Sequence, residues 1–371
     1  MNDEIDDAGS PGQLLQALLR ARGWSQRTLA AILAVGEATI TRLLGGRQPV
    51  DAKLAIALEE IFGVAAERFL SLQRDFDLAE ARKAVRPDRT RATRACLYAR
   101  LPVSEMIRRG WLDAKDIRDT VRVDAALTRF FGAERLGDIE ILPHAPKVTA
   151  VSGEVTATQL AWLRRVGQIA GGMAGAAYCE QTTRAALPQL RVAMATLQGV
   201  TGVPRILAAC GIRFVIVESL AAAAIDGGCL WLDGQAPVIA LTLRLDRIEH
   251  FWFVLRRQIE HILRRRGHGG AMIDIAPGGE PAGAARAAVE RVADEAAREF
   301  CLPASQLDAV LARHGPLLSE GEMLAMARTL GLHPGILARH IQRRTGKYER
   351  FGIHDVRLRQ VIGPYAVTDG W

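Results

Sequence analysis

SQRTLAAILAVGEATITRLLGGRQPV, Ser25 to Val50, is the stretch on which the reading of the N-terminal part turns. Ser25 offers a side-chain oxygen to cap a helix, and Leu29, Ile32 and Leu33 follow at helical spacing as its packing face. Ala30 is small enough for a second helix to approach closely. Val35-Gly36 predicts a tight turn, and a second helix is expected to start near Glu37 with Ile40, Leu43 and Leu44 inward. Gly45-Gly46 ends it. The outward face of that second helix is then Glu37, Ala38, Thr39, Thr41 and Arg42.

Two short helices across a tight turn make a helix-turn-helix, whose second helix enters the DNA major groove while the first crosses the backbone. Side-chain chemistry assigns the roles. Gln26 and Arg27 would meet phosphate or an adjacent base edge. Thr39 and Thr41 carry hydroxyls and methyls suited to bases, and Ala38 shares their face. Arg42, Arg47 and Lys53 would bind phosphate, and Arg42 can also read guanine. Glu37 repels phosphate but can accept from a cytosine amino group. The competing reading is a helical bundle that presents the same face to a protein.

Outward from this stretch the helical spacing continues, through Leu14, Leu15, Leu18 and Leu19 before it and Leu54, Ala57, Leu58 and Ile61 after it. With breaks at Gly23 and Gly63, five short helices are expected in an all-α domain over 11–86, behind a disordered acidic tail over 1–10. Residues 87–150 open with VRPDRTRATRACLYARLPVSEMIRRG (85–110) and read as a basic helical linker. The pattern later turns β-rich in IRFVIV (212–217), GCLWL (228–232) and VIALTL (238–243), with Asp233-Gly234 as a hairpin turn. Helices follow over 247–266 and 284–300, separated by a Gly/Pro-rich loop, and a helical segment over 311–371 closes the chain. A chain of 371 residues has room for two or three domains. The expectation is multidomain: an all-α domain, then an α+β domain with one small sheet.

A net charge of +7 suits a polyanionic partner, although an Arg-rich composition also follows from a GC-rich coding sequence. No apolar run approaches the roughly 20 residues that span a bilayer, so no membrane partner is expected. The acidic start MNDEIDDAGS is unlike a secretory signal. Five scattered cysteines without a C-x-x-C pair suit a reducing cytoplasm.

FWFVLRRQIEHILRRR, Phe251 to Arg266, has the cadence of a zinc helix. An H-E-x-x-H helix places two histidines at i and i+4 on one metal, with the glutamate activating water. In that frame this chain reads Arg257, Gln258, Ile259, Glu260, His261. A cation stands at the first ligand, a neutral amide at the base, and His261 alone remains. His250 lies about 16 Å away along such a helix, and His268 beyond it, so no catalytic residue, metal or cofactor is expected. Cys229 and Cys301 lack an activating histidine, and GQIAGGMAGAA lacks the lysine and hydroxyl of a phosphate loop. Glu260 is expected to pair with Arg256 or Arg264. Arg257 either lies on a solvated face or reaches inward to an acidic neighbour.

Several motifs resemble known families. SPGQLLQALL, WSQRTLA, ATITRLLGGRQPV and LSLQRDFDLAEARK make Pro11–Lys83 resemble the λ-repressor-like (XRE) domain, specifically HigA-type antitoxins. GIRFVIV, GGCLWLDGQAPVIALTLR and the FWF-x-L helix make Ile212–Leu263 resemble the zincin-like ImmA/IrrE peptidase domain. ERVADEAAREFCLP, Glu290–Pro303, resembles the segment with that family's third zinc ligand, which falls at Glu290 or Val292, with Val292 the preferred match. LPVSEMIRRGWL and GLHPGILARHIQRRTGKYERF resemble parts of long regulators that combine both domains. The resemblance spans most of 11–355. It implies a cytoplasmic, antitoxin-like autorepressor, homodimeric on a palindromic double-stranded DNA operator, with a small toxin as partner. Its peptidase-like domain, 151–310, would be catalytically dead, with Arg257, Gln258 and His261 as the vestigial site. Peptide binding by strand addition is expected at the hairpin Gly228–Leu243. The alternatives are an active zinc peptidase cleaving a repressor and a protein-only interaction module.

Overall fold

The computed structural model describes residues 8–84, 88, 90–141, 155–221, 223–275, 284–314 and 318–370. The chain divides into two compact units, Met1–Arg89 and Thr90–Trp371. The tail expected over 1–10 lies outside the described residues as far as Asp7.

Among its described residues, the first unit has five helices: α1 (Pro11–Arg22), α2 (Gln26–Ile32), α3 (Glu37–Leu44), α4 (Ala52–Phe62) and α5 (Ala66–Ala84). Their starts follow from side-chain caps. Ser10, Ser25 and Asp51 accept from the backbone N–H groups of Gln13, Thr28 and Leu54. Leu14, Leu29, Ile40, Leu58 and Phe69 have no exposed surface and form the centre of the core. Each such side chain contributes about 1.5–3 kcal/mol by burial. Ile32, expected to pack inward, is instead 46% exposed, because the two-turn helix α2 spends its inner face on Leu29 and Ala30. The turn also differs in detail. Ala34, not Gly36, takes the left-handed conformation (φ 54°). The Val35 and Ala34 amides return to Ala30 and Ala31 in a Schellman closure, while Gly36 is the N-cap of α3. Gly12 is required by closeness. A Cβ there would lie 2.5 Å from the Leu44 carbonyl oxygen, so α1 rests directly on the end of α3.

The second unit is built on a five-stranded sheet. Before it come α6 (Arg91–Arg100), α7 (Val103–Arg108), α8 (Thr120–Phe131), α9 (Ala157–Gly171), α10 (Glu180–Ala193) and α11 (Val203–Ala209). Then follow β1 (Arg213–Ile216), β2 (Ile225–Leu232), β3 (Ala236–Leu241), α12 (Ile248–Leu263) and β4 (Met272–Ile275). The unit ends with α13 (Ala284–Cys301), α14 (Ala304–His314), α15 (Glu320–Thr329), α16 (Pro334–Thr345), α17 (Arg359–Ile362) and β5 (Val367–Thr368). The strand order is β4-β2-β3-β1-β5. β1 runs parallel to β3 and β5, and β2 antiparallel to β3 and β4. Asp233 and Gly234 both have positive φ in the β2–β3 turn.

Side chains alternate between two cores. Phe214, Ile216, Ile239 and Leu241 join the core that includes α12. Val215, Val217, Val238 and Ala240 join the opposite one, with Trp162 of α9. Burial on both faces is why these strands read as unbroken apolar runs. Gly227 and Gly228 let the two layers close in, since a Cβ at either would meet Val254 on one side or Trp162 on the other.

Two expected boundaries are redrawn. Residues 90–141 are not a linker in form, because Leu97, Met106, Trp111 and Phe130 enter the core beneath the sheet. Their basic character is absorbed locally, as where Arg94 pairs with Asp124 at 2.7 Å. The 311–371 segment likewise adds Met323, Ile336 and Leu358 to the other core and supplies β5. The hairpin expected to receive a peptide is interior: β2 lies between β4 and β3, and β3 between β2 and β1. Where β4 and β1 pair with it, at Gly228–Cys229 and Val238–Leu241, strand addition has no free edge to use.

Candidate nucleic-acid interface and a buried charge cluster

In the first unit, the exposed side of α2 and α3 gathers most of the polar residues singled out in the sequence. Gln26, Arg27, Glu37, Ala38, Thr41 and Arg42 are exposed, and Thr39 is half-buried. They touch one another across the turn. The Thr41 hydroxyl donates to Gln26 Oε1 at 3.1 Å, tying the first turn of α2 to the middle of α3. Arg42 donates from Nη2 to Thr39 Oγ1 and from Nε to Gln48 Oε1, both at 3.3 Å. Arg27 Nε lies 3.4 Å from Glu37 Oε1. These bonds are weak and solvated, so the side chains are oriented without being committed, and a ligand can exchange them at little cost.

Gln48 is a member that the sequence reading missed. Its neighbours Arg47 and Pro49 drew attention to the loop, but a glutamine after a Gly-Gly carries no signal of its own. Arg47 is exposed in the same loop, and Lys53 is exposed on the first turn of α4. The loop is braced from behind by the α5 motif. Gln73 Oε1 accepts from the Val50 N–H at 2.9 Å, and the Phe76 ring packs under Gly46. Those two side chains give the Leu-Gln-x-x-Phe spacing a structural purpose: they fix the exit of α3.

The second unit holds a cluster of opposite character. Arg257 projects inward from α12 and is 17% exposed at its side chain. Its Nη1 lies 3.4 Å from Asp274 Oδ2 of β4, its Nη2 is bonded to Glu290 of α13, and its Nε lies 3.1 Å from Asp294 Oδ1. Of the two alternatives for Arg257, the inward one holds. Gln258 donates its amide to Asp274. His261, one turn after Arg257, is 1% exposed, with Nε2 at 3.8 Å from Glu290 Oε2. Glu290 therefore faces the motif, whereas Val292, the preferred match for a third ligand, points away and is 40% exposed. Two residues along a helix is about 200°, so one of them had to face outward. Asp274 is the member that sequence reasoning overlooked, within a four-residue strand inside a Gly/Pro-rich stretch.

Burial sets the charges here. It pushes the Asp274 carboxyl up to about 7, with Glu290 and Asp294 adding to it and Arg257 opposing. Burial and the Arg257 charge push His261 down to about 4, so it is a neutral imidazole near pH 7. For Arg257, burial would lower the pKa, but the Asp274, Glu290 and Asp294 carboxylates outweigh it and raise it. The rest of the helix is self-paired. Glu260 accepts from Arg256 at 2.9 Å and from Arg264 at 2.6 Å, meeting both expected partners. His250 is taken by Asp226 at 3.3 Å, and His268 packs on the Trp231 ring. Neither meets His261.

His261, Asp274 and Glu290 each offer a ligand atom, all within 4.8 Å of one another, close enough to share one metal ion. The same two carboxylates are in contact with Arg257. A divalent ion placed there would lie against a fixed positive charge, so the residues as they stand do not fit zinc.

The N-terminal part of the chain is similar to the uncharacterized HTH-type transcriptional regulator YddM of Escherichia coli (strain K12). The two are 33% identical over 81 residues, which is 22% of this chain and 86% of that protein. No family profile matches the chain. Among the described residues, no helix is long and apolar enough to cross a membrane.

Proposed function

This chain belongs to the HTH-type transcriptional regulators, and we propose that it is a sequence-specific DNA-binding repressor of its own promoter. The observation that carries the reading is the cross-bonded polar face of Gln26, Thr39, Thr41, Arg42 and Gln48 on α2 and α3. Helix α3 would lie in the major groove, with Thr39, Thr41 and Arg42 at base edges and α2 crossing the backbone through Gln26 and Arg27. Arg47 and Lys53 would hold phosphates, setting register without reading sequence. One module covers about half a site, so the working form is a homodimer on a palindrome. The chain would act in the cytoplasm.

The second unit, in this reading, is a peptidase-like domain without catalysis. Gln258 stands where a general base is needed, and its amide is a hydrogen-bond donor to Asp274 rather than a proton acceptor. That domain would serve partner recognition, with a small toxin as the partner that the antitoxin resemblance implies. The deciding experiment is fluorescence anisotropy with the full chain, its own promoter and a scrambled duplex at physiological salt. Preference for the promoter by about a thousandfold or more is expected. Binding of neither duplex would leave the protein-only module as the better account, and binding of both within tenfold would leave DNA binding without sequence specificity.

A further inference from the structure

We propose that the Arg257 guanidinium is a tethered substitute for a divalent cation, and that His261, Asp274 and Glu290 around it form a latent metal site. The inference deepens the reading of the second unit as non-catalytic and rests on it. Three observations converge. The ligand atoms of His261, Asp274 and Glu290 lie within 4.8 Å of one another, drawn from α12, β4 and α13. His261 is 1% exposed, and its Nε2 has no hydrogen-bond partner, as is also true of Asp274 Oδ1. Arg257 contacts Asp274, Glu290 and Asp294 together, while Arg298 meets Asp294 from its outer side, at 3.2 Å and 56% exposed.

The charge logic requires something positive at this position. Carboxylates on a strand and on a neighbouring helix converge in a buried space, where like charges repel strongly unless a cation lies between them. A divalent ion held by one imidazole and two carboxylates would meet that need. Arg257 meets it from within the chain, and its fixed charge then excludes the ion. A histidine at 257 lies one turn from His261 on the same helix face, which would place two imidazoles beside Glu290 and Asp274.

The test uses the full chain and zinc itself. Wild-type protein, Arg257→His, Arg257→Met and the double variant Arg257→His/His261→Ala are dialysed against zinc and assayed by elemental analysis, with cobalt absorption as a geometric readout. Arg257→His is expected to retain about one zinc per chain and to give a tetrahedral cobalt spectrum, both lost in the double variant. Arg257→Met is expected to melt lower than wild type and to recover in part on adding zinc, since ligand binding to the folded state alone stabilises it. If Arg257→His retains no more zinc than wild type while its circular dichroism is native, the latent site does not exist. If Arg257→Met melts lower but zinc does nothing, Arg257 is an ion-pair partner only, and the proposal fails while the non-catalytic reading stands. If wild type itself retains stoichiometric zinc, both the proposal and that reading fall.

Discussion

Helices α3 and α12 both turn one face into a core and carry arginines beside carboxylate or amide oxygens, yet the two regions use them in opposite ways. On α3, Arg42 bonds Thr39 and Gln48 at 3.3 Å in the open. On α12, Arg257 is held by three carboxylates, and Arg256 shares Glu260 with Arg264. The exposed set can trade its partners for a ligand, because water already competes for them. The buried set has no such freedom, since removing one member leaves another desolvated and unpaired. Polar chemistry on a helix is therefore open to exchange in the first unit and gives internal cohesion in the second.

The most forceful way to break that comparison is Glu260→Ala. Arg256 would keep its place beside Phe300 with buried Nε and Nη1 atoms that already lack hydrogen bonds. The loss is expected to be about 3 kcal/mol in the urea unfolding of the second unit. A loss below about 0.5 kcal/mol would mean that this pair is no more committed than a surface one.

Next in size is Gly12→Ala, which tests whether the exposed face depends on its support. The added Cβ would meet the Leu44 and Leu43 carbonyl oxygens at 2.5 and 2.9 Å. Helix α1 has to back away from the end of α3, at a cost of about 1–3 kcal/mol. Unfolding followed at Trp24, which packs by Phe62 in this unit, measures it, and an unchanged midpoint would show that the contact can relax freely.

The contrast also governed how much could be read from the sequence. The α2–turn–α3 unit was legible because its caps, its apolar spacing and its polar face are all local. The strands β1 and β3 were legible because burial on both sides leaves a continuous apolar run. What was not legible depended on distant partners. Residues 90–141 looked like a charged linker because Arg94 and Arg109 meet carboxylates far along the chain, Asp124 and Glu218, only once the unit folds. Asp274 could not be placed because four residues of strand make no period of their own. Choosing between Glu290 and Val292 required the rotation of α13 about its axis, which α12 dictates and the local pattern does not.

Arg42→Ala addresses function rather than folding. Loss of one bidentate base contact, or of a phosphate contact that positions it, is expected to weaken promoter binding about tenfold or more. The unfolding midpoint should not move beyond about 0.5 kcal/mol, because the lost bonds are exposed. Should stability fall while affinity holds, α3 would belong with α12 as a structural helix.

The smallest effect is expected from Glu37→Gln, and its sign is informative. Glu37 is 60% exposed at its side chain and sits 3.4 Å from the guanidinium of Arg27, so near DNA it would do two things. It would add a negative charge at the entry of α3, repelled by phosphate, and it would draw on the charge of Arg27. Replacing it with glutamine removes both effects while keeping a side chain that can accept a hydrogen bond. It also leaves Arg27 free to pair with phosphate, releasing up to one more counterion on binding. Promoter affinity is therefore expected to rise a few-fold, with a steeper fall as salt increases, and stability should change by less than about 0.5 kcal/mol. The measurement is anisotropy across a salt series. Weaker binding confined to the specific duplex would instead assign Glu37 to a cytosine contact, and the exposed pair with Arg27 would then be its resting state rather than a restraint.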